Sequence, residues 1–180
     1  PTLARLGIQH DTVFSERKLD NQKTIDLLAA KGLIIHKDGA VWLDGSKVGH
    51  DKDEVLVRST DNEATYFLQD IGYQITKLVD REFDEALTIV GPDHHGQENR
   101  LVAVLKALNV EKFVPLWTQT VRVIRDGKEF KMSKRQGNYI VLDDFLDEVP
   151  VDTARFWFAM RDPNSHFDID LDLIVEQNRN

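Results

Sequence analysis

Three features of this 180-residue chain predict an α/β fold with a parallel sheet. Leu87-Thr88-Ile89-Val90 is an unbroken apolar β run, of the kind buried on both faces in such a sheet. It ends at Gly91-Pro92-Asp93, and a helical pattern follows with Leu101, Val104, Leu105 and Leu108 on one face. A strand around Leu116 to Val123 then completes a βαβ unit.

The other elements fall into place around that unit. A short strand is expected over Thr12 to Phe14, and a helix from Asp20 or Asn21 to about Lys31 with Gly32 as its stop. Leu33-Ile34-Ile35-His36 and Ala40-Val41-Trp42-Leu43 flank Asp38-Gly39, a strong hairpin turn signal, and Val55-Leu56-Val57 adds a strand. From Ala64 to Val79, Ala64, Phe67, Leu68, Ile71, Ile75 and Leu78 recur at three and four, which specifies an amphipathic helix. Arg125-Asp126-Gly127-Lys128 reads as a second hairpin turn. Asp143 and Asp152 are read as N-caps of two short helices, and Phe156, Trp157, Ala159 and Met160 predict that the second is largely buried. The expected architecture is therefore a parallel sheet with helices, a small β-hairpin region before it and a helical C-terminal stem.

Composition narrows the function classes. With 41% hydrophobic and 30% charged residues the chain can build one proper core. The absence of cysteine excludes disulfides and a Cys-ligated zinc site, and fits a cytoplasmic location. No apolar run approaches the ~20 residues of a membrane span, so no membrane partner is expected. Pro1-Thr2-Leu3-Ala4 has neither the regions of a signal peptide nor an initiator Met, so an excerpt of a larger protein is expected. A net charge of −8 argues against a broad nucleic-acid platform.

Against that acidic background, Lys131-Met132-Ser133-Lys134-Arg135 places three cations and a hydroxyl within five residues, between Gly127 and Gly137. Such a loop suits a polyphosphate and can close over it. Gly91-Pro92-Asp93-His94-His95-Gly96 lies where an open α/β sheet has its ligand crevice. There Gly91 admits a close approach, Asp93 can accept from ribose hydroxyls, and the following helix start favours anions. The two histidines invite a metal reading, but none is expected, because strand or turn neighbours point apart and no further His or carboxylate stands at ligand spacing. Tyr66, Asp70 and Tyr73 fall at i, i+4 and i+7, on one face of the helix and away from its apolar stripe. A carboxylate between two rings can pair with a guanidinium while the rings stack on its plane. Asp168, Asp170 and Asp172 alternate with Phe167, Ile169 and Leu171 and lack the Gly and Glu of a calcium loop, so a strand edge or helix start is expected there.

In their order along the chain these segments resemble arginyl-tRNA synthetase, a class I aminoacyl-tRNA synthetase. The strings that carry the resemblance begin with Phe14-Ser15-Glu16, Gly39-Ala40-Val41-Trp42-Leu43 and Thr65-Tyr66-Phe67-Leu68-Gln69-Asp70-Ile71-Gly72-Tyr73. They continue with Gly91 to Gly96, the KMSKR form of the KMSKS-type loop at Lys131 to Arg135, and Asp168-Ile169-Asp170-Leu171-Asp172. The resemblance implies an arginine-tRNA ligase using ATP with Mg²⁺ on its phosphates, no protein-borne metal, and tRNA-Arg met mainly through parts outside this chain. It assigns the arginine substrate to Tyr66 and Asp70, with Tyr73 as a third wall. It places Gly91 and Asp93 near the ribose with His95 nearby, and Met132 and Arg135 against ATP. Lys131 and Lys134, with Ser133 between them, are implied in catalysis as stabilisers of the leaving pyrophosphate. Gln74 stands where the family often has His, and no role is carried there.

No His-x-Gly-His occurs in the chain. That element belongs to the first half of the class I nucleotide fold, so residues 1–180 are expected to be the second half of a Rossmann-type catalytic domain. The tail from Glu176 to Asn180 is expected to stop short of the anticodon-binding domain, and the chain alone to be inactive. Two other classes are a synthetase-like domain that merely binds arginine or a nucleotide, and an interaction domain that keeps the fold without the chemistry. Intact Lys131 to Arg135 favours the enzyme.

Overall fold

The structure, a computed structural model, describes residues 2–130 and 140–177. In chain order, α1 (Thr2–Arg5) and α2 (Asn21–Ala30) precede β1 (Ile34–Lys37), β2 (Ala40–Leu43) and β3 (Glu54–Val57). Then come α3 (Tyr66–Ile75), β4 (Ala86–Val90), α4 (His95–Ala107), β5 (Phe113–Trp117), β6 (Val121–Arg125) and β7 (Lys128–Glu129). α5 (Leu142–Glu148), α6 (Val151–Ala159), β8 (Phe167–Asp170) and α7 (Leu171–Gln177) follow. Two compact units result, one of Phe14–Leu116 and one joining Pro1–Val13 to Trp117–Asn180.

In the Phe14–Leu116 unit, β1, β2 and β3 form an antiparallel sheet, with Ile34 opposite Leu43 and Lys37 opposite Ala40. The turn between β1 and β2 has positive φ at both Asp38 (53°) and Gly39 (72°), the type I′ geometry that an Asp-Gly pair adopts at little cost. α2 opens where the sequence places it: the Asp20 side chain accepts from the Lys23 N–H. α3 is capped by Thr65, whose hydroxyl accepts from the Leu68 N–H at 3.4 Å and donates to the Val55 carbonyl at 2.9 Å. The apolar stripe of α3 meets Leu28, Leu43, Leu56, Leu101 and Leu105 in one buried cluster. Gly72 lets α2 and α3 approach closely, since an added Cβ would stand 2.8 Å from Thr24 Oγ1. β4 pairs with β5, and α4 lies between them in sequence.

In the other unit, β6 pairs antiparallel with β7 and parallel with β8, Val121 opposite Phe167 and Ile124 opposite Asp170. Its core gathers Leu6, Phe145, Leu146, Val149, Ala154, Phe167, Ile169, Leu171 and Ile174. The alternating aspartates are absorbed as expected. Asp168 pairs with Arg122 at 2.7 Å, Asp170 accepts from the Leu173 N–H at 3.1 Å at the start of α7, and Asp172 accepts from the Asp126 N–H at 2.6 Å.

Six expectations are corrected. Thr12 to Phe14 form no strand; Val13 is 89% exposed and so has no apolar reason to pair. α3 ends at Ile75 and continues as a π-helical turn over Thr76–Asp80, where the Thr76 hydroxyl donates to the Gly72 carbonyl at 2.9 Å. β4 is not buried on both faces: Ala86 and Val90 on one side of the pleat are buried, and Leu87 and Ile89 on the other are exposed. The stretch expected as one strand over Leu116 to Val123 is two, β5 and β6, in different sheets. α5 and α6 start one residue before Asp143 and Asp152, after Val141 and Pro150, so neither aspartate is an N-cap; Asp143 instead accepts from Thr2 and Arg5. α6 buries Ala154 but leaves Phe156, Phe158 and Met160 exposed, so the helix is not largely buried.

Candidate functional site

The face of α3 that carries Tyr66, Asp70 and Tyr73 points away from the core, as the helical spacing requires. Tyr66 opens the helix and is 77% exposed. Asp70, one turn on, is half-buried and accepts a hydrogen bond from Gln97 Nε2 at 2.7 Å. Tyr73 is half-buried, stacked on Phe14 with ring centroids 4.9 Å apart and planes at 28°. Lys77, in the π turn, holds its Nζ 4.6 Å from the Tyr73 ring centre and donates to Thr88 Oγ1 at 3.2 Å. Burial pushes the Lys77 ammonium below the ordinary lysine range; Glu98 and Asp70 oppose that shift and Arg81 adds to it.

α4 makes the neighbouring wall. Its first turn supplies Gln97 to Asp70, and one turn further Arg100 lies 5.9 Å over the Phe67 ring while pairing with Glu54 at 2.6 Å. α3 and α4 are thus tied at two levels by polar side chains beside their shared apolar contact. Gly91 directly follows β4 and is half-buried, and an added Cβ there would meet nothing within 4 Å, so the backbone is open to a ligand. Asp93 is exposed in the short 3₁₀ turn Pro92–His94 that leads into α4. The hydrogen bond from Gln97 therefore connects the Tyr66–Asp70–Tyr73 face to the helix that follows the Gly91–Asp93 turn.

The structure brings Asp70 and Tyr73 into one partly covered patch with Tyr66 at its solvent end. The side chain of His95, and Lys131, Met132, Ser133, Lys134 and Arg135, lie outside the described residues. Among the described residues no group of three or more His, Cys, Asp or Glu stands together as a metal site. Nor, among them, is any helix long and apolar enough to cross a membrane. A cavity of about 270 Å³ borders Phe14, Lys18, Asp20, Lys23, Thr24, Gly72 and Asp80, but neither Tyr66 nor Asp70 lines it.

Sequence reasoning missed Gln97, Lys77 and Thr88. Lys77 is one turn beyond Tyr73, so helical spacing alone could have flagged it. Gln97 and Thr88 carry no such signal, because their partners lie 27 and 11 residues away.

Comparison with known proteins shows what the chain as a whole is similar to. The family model described as "tRNA synthetases class I (R), catalytic domain" matches residues 6–166. The chain is 43% identical over 182 residues to an arginine–tRNA ligase of Carboxydothermus hydrogenoformans, covering 98% of this chain and 32% of that protein. It is 47% identical over 153 residues to an arginine–tRNA ligase of Elusimicrobium minutum, covering 84% of this chain and 28% of that protein. Among solved structures, one described as an arginyl-tRNA synthetase of Campylobacter jejuni superposes with a TM-score of 0.84 at 30% identity, over 95% of this chain and 38% of that one. The arginyl-tRNA synthetase of Thermus thermophilus has the same fold at 18% identity, with a TM-score of 0.74 over 97% of this chain and 40% of that one. The chain spans about a third of the length of the curated relatives it matches.

Proposed function

We propose, from the premise that this chain belongs to the class I (R) tRNA synthetase catalytic-domain family, that the full-length protein is an arginine–tRNA ligase. The arginine carboxylate attacks the α-phosphorus of ATP, the bond to the β-bridging oxygen breaks, and arginyl-adenylate and pyrophosphate result. A 3′-end hydroxyl of tRNA-Arg then attacks the arginyl carbonyl and AMP leaves. Residues 1–180 make up the second half of the catalytic domain in this reading, and a cytoplasmic location goes with it.

The single observation that carries the reading is the half-buried Asp70 carboxylate beside Tyr73 on α3, held by Gln97 from α4. Asp70 takes the substrate guanidinium as a charge-assisted pair, for which a planar fork is better suited than an ammonium. Tyr66 closes over the solvent side. The Tyr73 ring is already packed by Phe14 and Lys77, so its hydroxyl and edge form the third wall. Gly91 and Asp93, with His95 nearby, take the nucleotide, Asp93 accepting from the ribose hydroxyls.

In the basic loop, Lys131 and Lys134 neutralise charge that moves onto pyrophosphate, the Ser133 hydroxyl donates a hydrogen bond to it, and Met132 and Arg135 contact ATP. Mg²⁺ accompanies the ATP phosphates, as a hard cation that keeps few protein ligands does. The chain's own part is positioning and charge stabilisation, with no covalent intermediate on the protein. The test is ATP–pyrophosphate exchange by the full-length protein with arginine and tRNA-Arg. Exchange that depends on arginine supports the proposal, and its absence with arginine but presence with another amino acid overturns it.

A further inference from the structure

We propose that Lys77 is a positioning residue of the arginine site: its ammonium, seated on the Tyr73 ring and bonded to Thr88, holds the Tyr73 wall and the end of α3 in place for the guanidinium. The inference rests on the reading of Tyr66, Asp70 and Tyr73 as the arginine face. It begins from an oddity of charge. A site for a cationic side chain has a second cation, half-buried, against its Tyr73 wall, and like charges repel, so Lys77 is not there to touch the substrate.

Its contacts show what holds it. Lysine normally keeps its ammonium in water, and withdrawing it costs solvation unless partners replace the water. Here the partners are the face of Tyr73 at 4.6 Å and the Thr88 hydroxyl at 3.2 Å. Asp70 and Tyr73 on α3, Arg81 beyond the π turn and Glu98 on α4 are the titratable groups that surround it. Phe14 stacks on the same Tyr73 ring, so the ring is packed by an aromatic and by a cation together and has little freedom to rotate.

The backbone supports the same arrangement. Lys77 leaves the chain from the π turn Thr76–Asp80, a local widening of the helix of a kind frequent at functional sites. Thr88 lies on β4, three residues before Gly91. Lys77 therefore fastens the arginine helix to the strand that ends in the nucleotide turn, while Gln97 fastens Asp70 to the helix that leaves it.

The experiment measures KM for arginine and for ATP in pyrophosphate exchange by the full-length protein, for Lys77→Met, Lys77→Arg, Thr88→Val and the reference variant Asp70→Asn. Lys77→Met, which keeps the apolar stem, is expected to raise KM for arginine about tenfold, the scale of one desolvated cation–ring contact. KM for ATP should stay within about twofold, because only the arginine wall has moved. Lys77→Arg, still charged, should recover most of the loss, and Thr88→Val should show a smaller loss in the same direction. The gap between wild type and Lys77→Met should also close at alkaline pH, as the wild-type ammonium loses its proton.

Unchanged arginine KM in Lys77→Met, or equal losses for arginine and ATP, overturns the assignment. If Asp70→Asn weakens arginine and Lys77→Met does not, only the role of Lys77 fails. If neither weakens arginine, the arginine face itself has been misassigned.

Discussion

Gln97 Nε2 donates to Asp70 Oδ2 at 2.7 Å, so a side chain from the first turn of α4 fixes the carboxylate at the middle of the exposed face of α3. That bond gives two expectations that a calorimetric titration of arginine can check. Asp70→Asn keeps the shape and removes the charge, and should weaken arginine by about tenfold or more, since hydrogen bonds to charged groups are worth ~1.5–3 kcal/mol. Gln97→Met should weaken arginine less, because it removes one of the hydrogen bonds that orient the Asp70 carboxylate, with ATP binding nearly intact. Wild-type arginine affinity in Asp70→Asn would make this face an ordinary solvated surface.

If the basic loop has the role proposed for it, Lys134→Ala should slow adenylate formation far more than it weakens arginine binding, because the charge it would meet develops only as pyrophosphate leaves. Removing one such stabiliser costs ~2.5 to 4 kcal/mol in the transition state. The steady-state rate of pyrophosphate exchange measures it, and an unaltered rate would remove Lys134 from the mechanism.

Gly72→Ala should destabilise the Phe14–Leu116 unit, because the new methyl would stand 2.8 Å from Thr24 Oγ1 on a buried threonine. Overpacking of this kind costs about 1–3 kcal/mol, read from the urea midpoint. Adding Thr24→Ala should return part of the loss. If the double variant is no better than the single one, close approach of α2 is not what Gly72 serves.

The Thr2 hydroxyl and the Arg5 guanidinium, in that order, hold the Asp143 carboxyl below the ordinary aspartate range. A carboxylate depressed in the folded state stabilises above its unfolded pKa, and that contribution is lost as pH falls through the folded value. Stability should therefore decline on acidification below about pH 4, and Asp143→Asn should flatten that decline. Acid titrations of the unfolding midpoint for both proteins decide it.

On the proposed reading of residues 1–180 as the second half of the catalytic domain, the chain by itself should not exchange pyrophosphate, since aligning ATP with the arginine carboxylate carries of order 7 kcal/mol or more of the barrier reduction and half a nucleotide cradle would forgo it. It should also self-associate: Leu87 and Ile89 on β4 are 58% and 73% exposed, and Val114 and Leu116 on β5 are exposed as well. Light scattering on the wild-type chain and on a Leu87→Lys, Ile89→Lys double variant checks this. Association that persists unchanged in the double variant would place the sticky surface elsewhere.

What could be read along the chain is what local rules govern. The Asp38-Gly39 turn, the Asp20 cap of α2 and the outward face of Tyr66, Asp70 and Tyr73 all follow from short-range geometry, and each is found where the residues put it. The strings of the resemblance were legible for the same reason, being contiguous, and the family model, which matches residues 6–166, spans all of them but Asp168 to Asp172. Errors cluster at the strands and caps. A β run such as Leu87 to Val90 has the same pattern whether one face or both are covered, and only the surrounding elements decide.

Short-range rules sufficed for α2, for the core-facing stripe of α3, for α4 and for the hairpin turns, because periodicity and turn residues act within a few positions. Tertiary structure alone decided that Phe113 to Arg125 divides between two sheets, that α6 leaves its aromatics exposed, and that Asp70 is held by Gln97 and Tyr73 by Phe14 and Lys77. Those outcomes depend on contacts between residues far apart in the chain. Which strand pairs with which, and which polar groups a buried carboxylate or ammonium finds, are settled by the competition for burial and hydrogen bonds in the packed molecule.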